Sequence, residues 1–286
     1  GPSGISRNGS GCRRRLASYE RPHNAAFQTL EGWGRGASKP WTEYAGRRIA
    51  VITQVVHGLE GAARARGDVV IVDVFRAMTS AAVLLDRGVA QLCWTPDVDE
   101  ALRWRAEGRV DLCAGEVDGQ RPPGFDYGNS PAELVRAPVR GRRVVLSTRA
   151  GATGLAAAAP SAQRLWGGAL VTLEATARCL RSCGAAEVTI VAMGWAGRRR
   201  TDEDELCAQA LVDRLHGRPV DGVDMVRRIR ASPEARKFGD PLQPWFAAED
   251  REIALDVDRF SFAMAIERAA DGRLTTRAVR PPALEE

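Results

Sequence analysis

From Arg48 onward the chain alternates short, wholly apolar runs with amphipathic stretches, and that alternation restricts its fold more than any other feature. The runs are RIAVITQVV, VVIVDVF, AQLCW, VDLCAG, RRVVLST and EVTIVAM. Strands with so few polar alternates are buried on both faces, which calls for helices above and below the sheet and for parallel, crossover connections. Helical spacing predicts helices over 79–87, 98–107, 151–158, 171–182 and 202–216. The end of the chain reads differently: FAMAIERAADGRLTTRAV places Asp271-Gly272 between two alternating runs, a hairpin signal. The expected fold is α/β, a three-layer α/β/α domain with a mixed, largely parallel sheet and a C-terminal hairpin.

Residues 1–46 are rich in Gly, Ser, Arg and Asn and lack periodicity, so they are expected to form a basic arm ahead of a single domain over 47–286. The net charge of +5 is located there. Residues 1–48 hold nine Lys/Arg against three Asp/Glu, and the rest of the chain holds 32 against 33. A body so nearly neutral is not expected to bind nucleic acid; noncatalytic binding through the arm is the reading that the charge leaves open. The arm's Tyr19, Phe27, Trp33 and Trp41 suit docking onto the body or onto a second subunit. No apolar run is long enough for a membrane span, and no apolar stretch follows the N-terminal arginines to make a secretory signal. Among the six cysteines only Cys179 and Cys183 are close, with no His near them, so a zinc site is not expected. Buried, reduced thiols in a cytoplasmic protein are.

In open α/β sheets ligands bind at the carboxyl ends of the strands, so the polar residues there are the ones to read. VVIVDVFRAMTS carries Asp73 at the end of an apolar strand, then Arg76, Thr79 and Ser80. A carboxylate buried there needs a cation, either Arg76 or a metal. AGEVDG adds Glu116 and Asp118, VLSTRAGATG adds Thr148, Arg149 and Gly151, and RRRTDEDEL adds Thr201 and an acidic first helical turn, Asp202 to Glu205. That last cluster is also what a helix dipole favours in any protein. GFDYGNSPAEL, residues 124–134, contributes Asp126, Asn129 and Ser130, with Ser130 as N-cap, Pro131 at N1 and Glu133 at N3 of a helix. Its glycines allow a sharp turn before free helical N–H groups, a ready anion site. Carboxylates at four strand ends, with arginines and glycine-turn helix starts between them, point to Mg²⁺ and a phosphate. The chain has no P-loop, no strand-linked G-x-G-x-x-G and no G-x-S-x-G elbow.

The order of these segments, with GFDYGNSPAEL the most specific, resembles the 2-phosphosulfolactate phosphatase family over roughly residues 48–280. The family pattern runs through a D-V-L-R-A-T strand end, a G-E-R segment, G-F-D-x-G-N-S-P-x-E, a Thr-containing turn and an E-D-x-x-C-A helix start. The resemblance implies a dimeric α/β/α enzyme that uses Mg²⁺ to hydrolyse a small acidic phosphate ester. On it, Asp73, Arg76, Glu116 and Asp126 become the candidate catalytic residues and Asp73, Glu116, Asp126 and Asp204 the candidate metal ligands. Thr79, Asn129, Ser130, Thr148, Arg149 and Gly151 become the candidate substrate-binding residues, Arg76, Arg149 and the helix start at Ser130 clamping the phosphate. Glu133 and Glu203 also fall on motif positions. The departures are Val117 for the Arg after G-E, Phe75 and Met78 in the D-V-L-R-A-T segment, and Ala150 and Ala152 in the following turn. They imply a changed substrate in specialised metabolism, phosphorylated or not.

Overall fold

A computed structural model describes residues 28–29 and 51–283. All but two residues of the expected N-terminal arm, including its aromatics, lie outside the described residues. The strands are β1 (Gln28–Thr29), β2 (Ile52–His57), β3 (Asp68–Val72), β4 (Gln91–Trp94), β5 (Leu112–Gly115), β6 (Tyr127–Gly128), β7 (Arg143–Ser147), β8 (Arg164–Gly168), β9 (Glu187–Ala192), β10 (Ala263–Arg268) and β11 (Leu274–Arg280). The helices are α1 (Gly58–Arg64), α2 (Ala77–Asp86), α3 (Val98–Ala106), α4 (Pro131–Arg136), α5 (Gly151–Ala158), α6 (Leu173–Ser182), α7 (Asp202–Leu215), α8 (Gly222–Ala231), α9 (Pro233–Arg236) and α10 (Ala248–Ala254). Every strand and helix expected from periodicity is present.

The sheet runs β2-β9-β3-β8-β10-β11-β4-β7-β5-β6, and β1 pairs in parallel with the end of β11. Strands β2, β9, β3 and β8 form one parallel block and β4, β7, β5 and β6 a second. The predicted hairpin, β10 and β11, is inserted between them, antiparallel to β8 on one side and to β4 on the other. The two blocks therefore run in opposite senses. Sheet twist of roughly 20–25° per strand swings the second block round over the steps from β3 to β7, so that carboxyl ends from both blocks meet at one cleft.

Helix α2 sits at the centre of this coil. Its residues from Ala77 to Leu85 are all buried, and all but Thr79 and Ser80 are apolar. One core packs α1, α2, α4 and α5 on one face of the sheet, and another packs α6, α7 and α8 on the opposite face. A smaller cluster seats α3 on the second block. Strand β8 carries no signal of its own in the sequence because two of its five residues are Gly167 and Gly168. Both are needed: a Cβ on Gly167 would lie 2.8 Å from Met78 Sδ of α2, and one on Gly168 2.8 Å from Val70 Cγ1.

Candidate active site

The cleft encloses about 620 Å³, part of it open to solvent, and is lined by residues that follow β3, β5, β7 and β9 together with a loop between α9 and α10. Asp73 lies at its floor. The chain leaves β3 at Val72 and enters α2 at Ala77, so Asp73 stands at that helix's start, where Oδ1 accepts the Ala77 N–H at 3.1 Å. The Gly151 N–H at the start of α5 also donates to it. Two helix N-termini thus converge on one carboxylate, which favours its ionised form. Burial opposes them and wins: with the charge of Glu116 also raising it, the Asp73 carboxyl is pushed up from 3.8 to about 7. Gly151 is required for this approach, since a Cβ there would sit 2.6 Å from Ala77 Cβ and 3.0 Å from Asp73 Oδ2.

Glu116 braces the loops beside it, Oε2 accepting from Gly119 N at 2.7 Å and Oε1 from Arg149 N at 2.9 Å. Glu203, in the first turn of α7, faces the cleft from the other block and is buried; its Oε2 has no hydrogen-bond partner. Burial, with the charges of Glu234 and Asp73, pushes its carboxyl up to about 7. Its neighbour Asp204 is a structural clamp: Oδ1 accepts from Val74 N at 2.7 Å and Oδ2 from Gly194 N at 2.8 Å, tying the ends of β3 and β9 together. Burial and the adjacent carboxylates of Glu203 and Asp73 hold Asp204 well above the ordinary carboxylate range. Thr201 occupies the N-cap of α7 without a side-chain capping bond.

Arg76 does not answer the charge of Asp73 by contact. It is buried, and its Nη1 donates to Asp250 Oδ2 and to the Trp245 carbonyl, both at 2.7 Å, while Nη2 donates to the Gly119 carbonyl at 3.0 Å. Phe246 covers it, the guanidinium carbon 4.8 Å from the ring centroid. Asp250 also closes the anion site expected at the start of α4. Its Oδ1 accepts from Ser130 Oγ at 2.7 Å and from Ala132 N at 2.9 Å, and Ser130 Oγ in turn caps Glu133 N at 3.2 Å. The helix N-terminus in GFDYGNSPAEL thus holds a protein carboxylate. Gly124 takes the left-handed conformation its turn needs, whereas Gly128 donates its N–H to Glu133 Oε2 at 2.8 Å.

Of the other expected site residues, Asn129 and Arg149 line the cleft; Asn129 is buried with Oδ1 unpartnered, and Arg149 pairs with Asp118 at the rim. Thr148 Oγ1 accepts from Ala152 N at 3.0 Å and so caps α5. Thr79 is buried within α2, its hydroxyl donating to the Val74 carbonyl at 2.8 Å. Asp126 lies outside the cleft lining, where it accepts from Arg105 Nη1 at 2.9 Å and Cys113 N at 2.8 Å. Val117 bridges to Gln120 and keeps its side chain out of the cleft lining, while Glu116 and Asp118 on either side line it. Asp250, Lys237 and the aromatic wall of Trp195, Phe238 and Phe246 escaped sequence reading, all but Trp195 for want of periodicity in residues 217–262. Two faint signals existed: Lys237 is the only lysine after residue 48, and Asp250 lies in an A-E-D helix start.

No group of three or more His, Cys, Asp and Glu among the described residues is arranged to hold a metal by protein ligands alone. Mg²⁺ seldom needs that; it takes one or two carboxylates and fills the rest with water and substrate oxygens. The cleft fits such an ion. Glu203 Oε2 and Asn129 Oδ1 are buried acceptors without donors, and burial, with the charge of Glu116, raises the Asp73 carboxyl beside them.

The 2-phosphosulpholactate phosphatase family model matches residues 55–250. A probable 2-phosphosulfolactate phosphatase of Thermus thermophilus is 38% identical over 179 residues, 61% of this chain and 72% of the relative. That of Deinococcus radiodurans is 40% identical over 133 residues, 46% of this chain and 55% of the relative. That of Thermoplasma volcanium is 28% identical over 189 residues, 66% of this chain and 84% of the relative. The matched span takes in β3, β5, β7, β9, the start of α7 and Asp250, the elements that build the cleft. The chain belongs to the 2-phosphosulpholactate phosphatase family.

Proposed function

We propose that the protein hydrolyses a small acidic phosphate monoester, with Mg²⁺ as cofactor, in the cleft at Asp73. The observation that carries this reading is the meeting of Asp73, Glu116 and Glu203 in one cleft with acceptor atoms left unpaired. Asp73 and Glu116 would hold the metal, which when bound offsets charge on the phosphoryl oxygens. Arg149 at the rim and the Asn129 amide reach the same oxygens. Glu203, buried with one free oxygen and a carboxyl near neutrality, takes a proton from the water that attacks in line with the leaving oxygen. Arg76 and Asp250 position these groups by fixing the Gly119 loop and the start of α4.

The substrate is read as differing from that of the named relatives, because Phe75, which lines the cleft, replaces a residue of the family pattern and the cleft wall is aromatic. A homodimer is proposed from the resemblance. A cytoplasmic setting is supported by Cys93, Cys113, Cys179, Cys183 and Cys207, all buried and unpaired. No helix among the described residues is long and apolar enough to cross a membrane. The test is phosphate release from a library of monoesters with Mg²⁺ or EDTA. Release from at least one acidic ester that stops in EDTA supports the reading. Release from none points to an enzyme that has kept the scaffold and changed the reaction.

A further inference from the structure

Along with the carboxylates, the cleft is lined by aromatic rings. Phe75 and Phe238 stand 4.8 Å apart between centroids, Phe238 and Phe246 5.4 Å, and Phe246 and Trp195 6.4 Å. Phe75 is one of the departures from the family pattern, so the end of this wall is a feature of the chain's own sequence. Phe238 and Phe246 are buried and cover the Arg76 guanidinium, whereas Phe75 and Trp195 are half-buried and line the cleft with ring surface that phosphate chemistry does not use and the rest of a substrate can cover.

A cation lies on the same wall. Lys237 Nζ sits 3.9 Å from the Trp195 ring centroid and lines the cleft. Its one acidic partner, Glu234, is already held by Arg199 at 2.5 Å, and the ammonium is 3.4 Å from the same oxygen. Among the cleft's cations, Arg76 is committed to Asp250 and two carbonyls, and Arg149, paired with Asp118 at the rim, is the one assigned to the phosphoryl oxygens. Lys237 is therefore the one whose charge is least answered. In a chain with 41 Lys and Arg of which only two are lysines, a lysine here places a compact charge on a flexible stem where an arginine fork would lock onto Glu234.

We propose that Lys237 and the wall of Phe75, Phe238, Phe246 and Trp195 form a second subsite, which takes the non-phosphate part of the substrate: a flat apolar or aromatic group carrying a second acid. The ring stacks on the wall and the acid, a carboxylate or sulfonate, pairs with the Lys237 ammonium. This rests on the phosphatase reading for the name of the substrate class but not for the existence of the subsite, so binding is measured apart from turnover.

The probes are 3-phenyllactate and lactate, the dephosphorylated forms of an aromatic and a small acidic ester, titrated by calorimetry into the full chain. Phenyllactate is expected to bind at least about tenfold more tightly than lactate, the scale of one buried ring. Lys237→Met is expected to weaken phenyllactate about tenfold, the scale of a charged hydrogen bond, with Lys237→Arg keeping part of the affinity. Phe75→Leu is expected to narrow the gap between the two ligands and leave lactate unchanged. Unchanged thermal melting shows that each variant is folded; a variant that melts early is replaced by Phe75→Met or Lys237→Gln. Equal binding of the two acids, or the same phenyllactate affinity in Lys237→Met and wild type, overturns the proposal whether or not any ester is hydrolysed. If the subsite binds phenyllactate as expected and no ester is turned over, the phosphatase reading fails alone.

Discussion

Asp73 and Glu203 are carboxyl groups buried without a positive partner in contact, and this has a sign that can be measured. Unfolded, Asp73 ionises near 3.8; folded, it does so at about 7, and Glu203 moves from 4.5 to about 7. Between those values the folded state holds protons that the unfolded state has lost. The stability these two groups contribute is therefore fully present below about pH 4, is lost as pH rises to about 7, and levels off above it. In EDTA, differential scanning calorimetry should give a lower melting temperature at pH 7.5 than at pH 5. Asp73→Asn should shrink that drop. On the proposed reading Mg²⁺ binds the ionised form, so it should restore melting temperature at pH 7.5 more than at pH 5. A drop that is the same size in Asp73→Asn would mean that other groups carry it. At the same scale, Glu203→Gln removes the proposed proton acceptor and leaves Asp73 and Glu116, the proposed metal ligands, so kcat should fall by about two decades or more with KM little changed.

Among elements, the start of α4 shows how a correct local reading can carry a wrong partner. Ser130, Pro131 and Glu133 announced a capped helix, and the helix is there. What fills its N-terminus, Asp250, comes from 120 residues further along the chain and could not be read from spacing. The same carboxylate neutralises Arg76. Asp250→Ala would leave a buried guanidinium unpaired and is expected to lower unfolding free energy by about 3–5 kcal/mol. Replacing both partners, Arg76→Met with Asp250→Leu, should lose less than Asp250→Ala alone; urea denaturation of the two variants beside wild type decides it. Gly151→Ala tests the meeting of α2 and α5: the added methyl has no room against Ala77 and Asp73, so both melting temperature and turnover should fall.

These cases explain what was legible. Strands such as VVIVDVF announce themselves because burial on both faces forbids polar residues, and Asp271-Gly272 marks a turn through local backbone geometry alone. Strand β8 was silent because close packing on α2 and β3 leaves room only for glycine at two of its five positions. Asp73, Glu116, Asn129 and Arg149 could be placed in the cleft because strand ends in such sheets point to ligands. Asp126 sits near the same sequence motif yet turns to Arg105 and Cys113, since nothing in a linear pattern states which way a loop side chain faces.

Across the molecule, the central hairpin joins two parallel blocks of opposite sense, so the cleft depends on the whole sheet. Residues 28–29 pair with Val279 and Arg280 at the end of β11. Deleting residues 1–46 removes that pairing and is expected to lower melting temperature or the dimer fraction in sedimentation velocity, leaving Mg²⁺ binding unchanged. A salt-sensitive gel shift with DNA or RNA, lost on truncation, would instead assign the arm to nucleic acid. The cleft itself is tested most directly by phosphate release in Mg²⁺ from a library of acidic monoesters that includes 2-phosphosulfolactate, comparing wild type with Asp73→Asn. The wild type should release phosphate from at least one ester, with 2-phosphosulfolactate not the best, and Asp73→Asn should be inactive while still folded. Turnover that survives Asp73→Asn undiminished would contradict the assignment of the cleft.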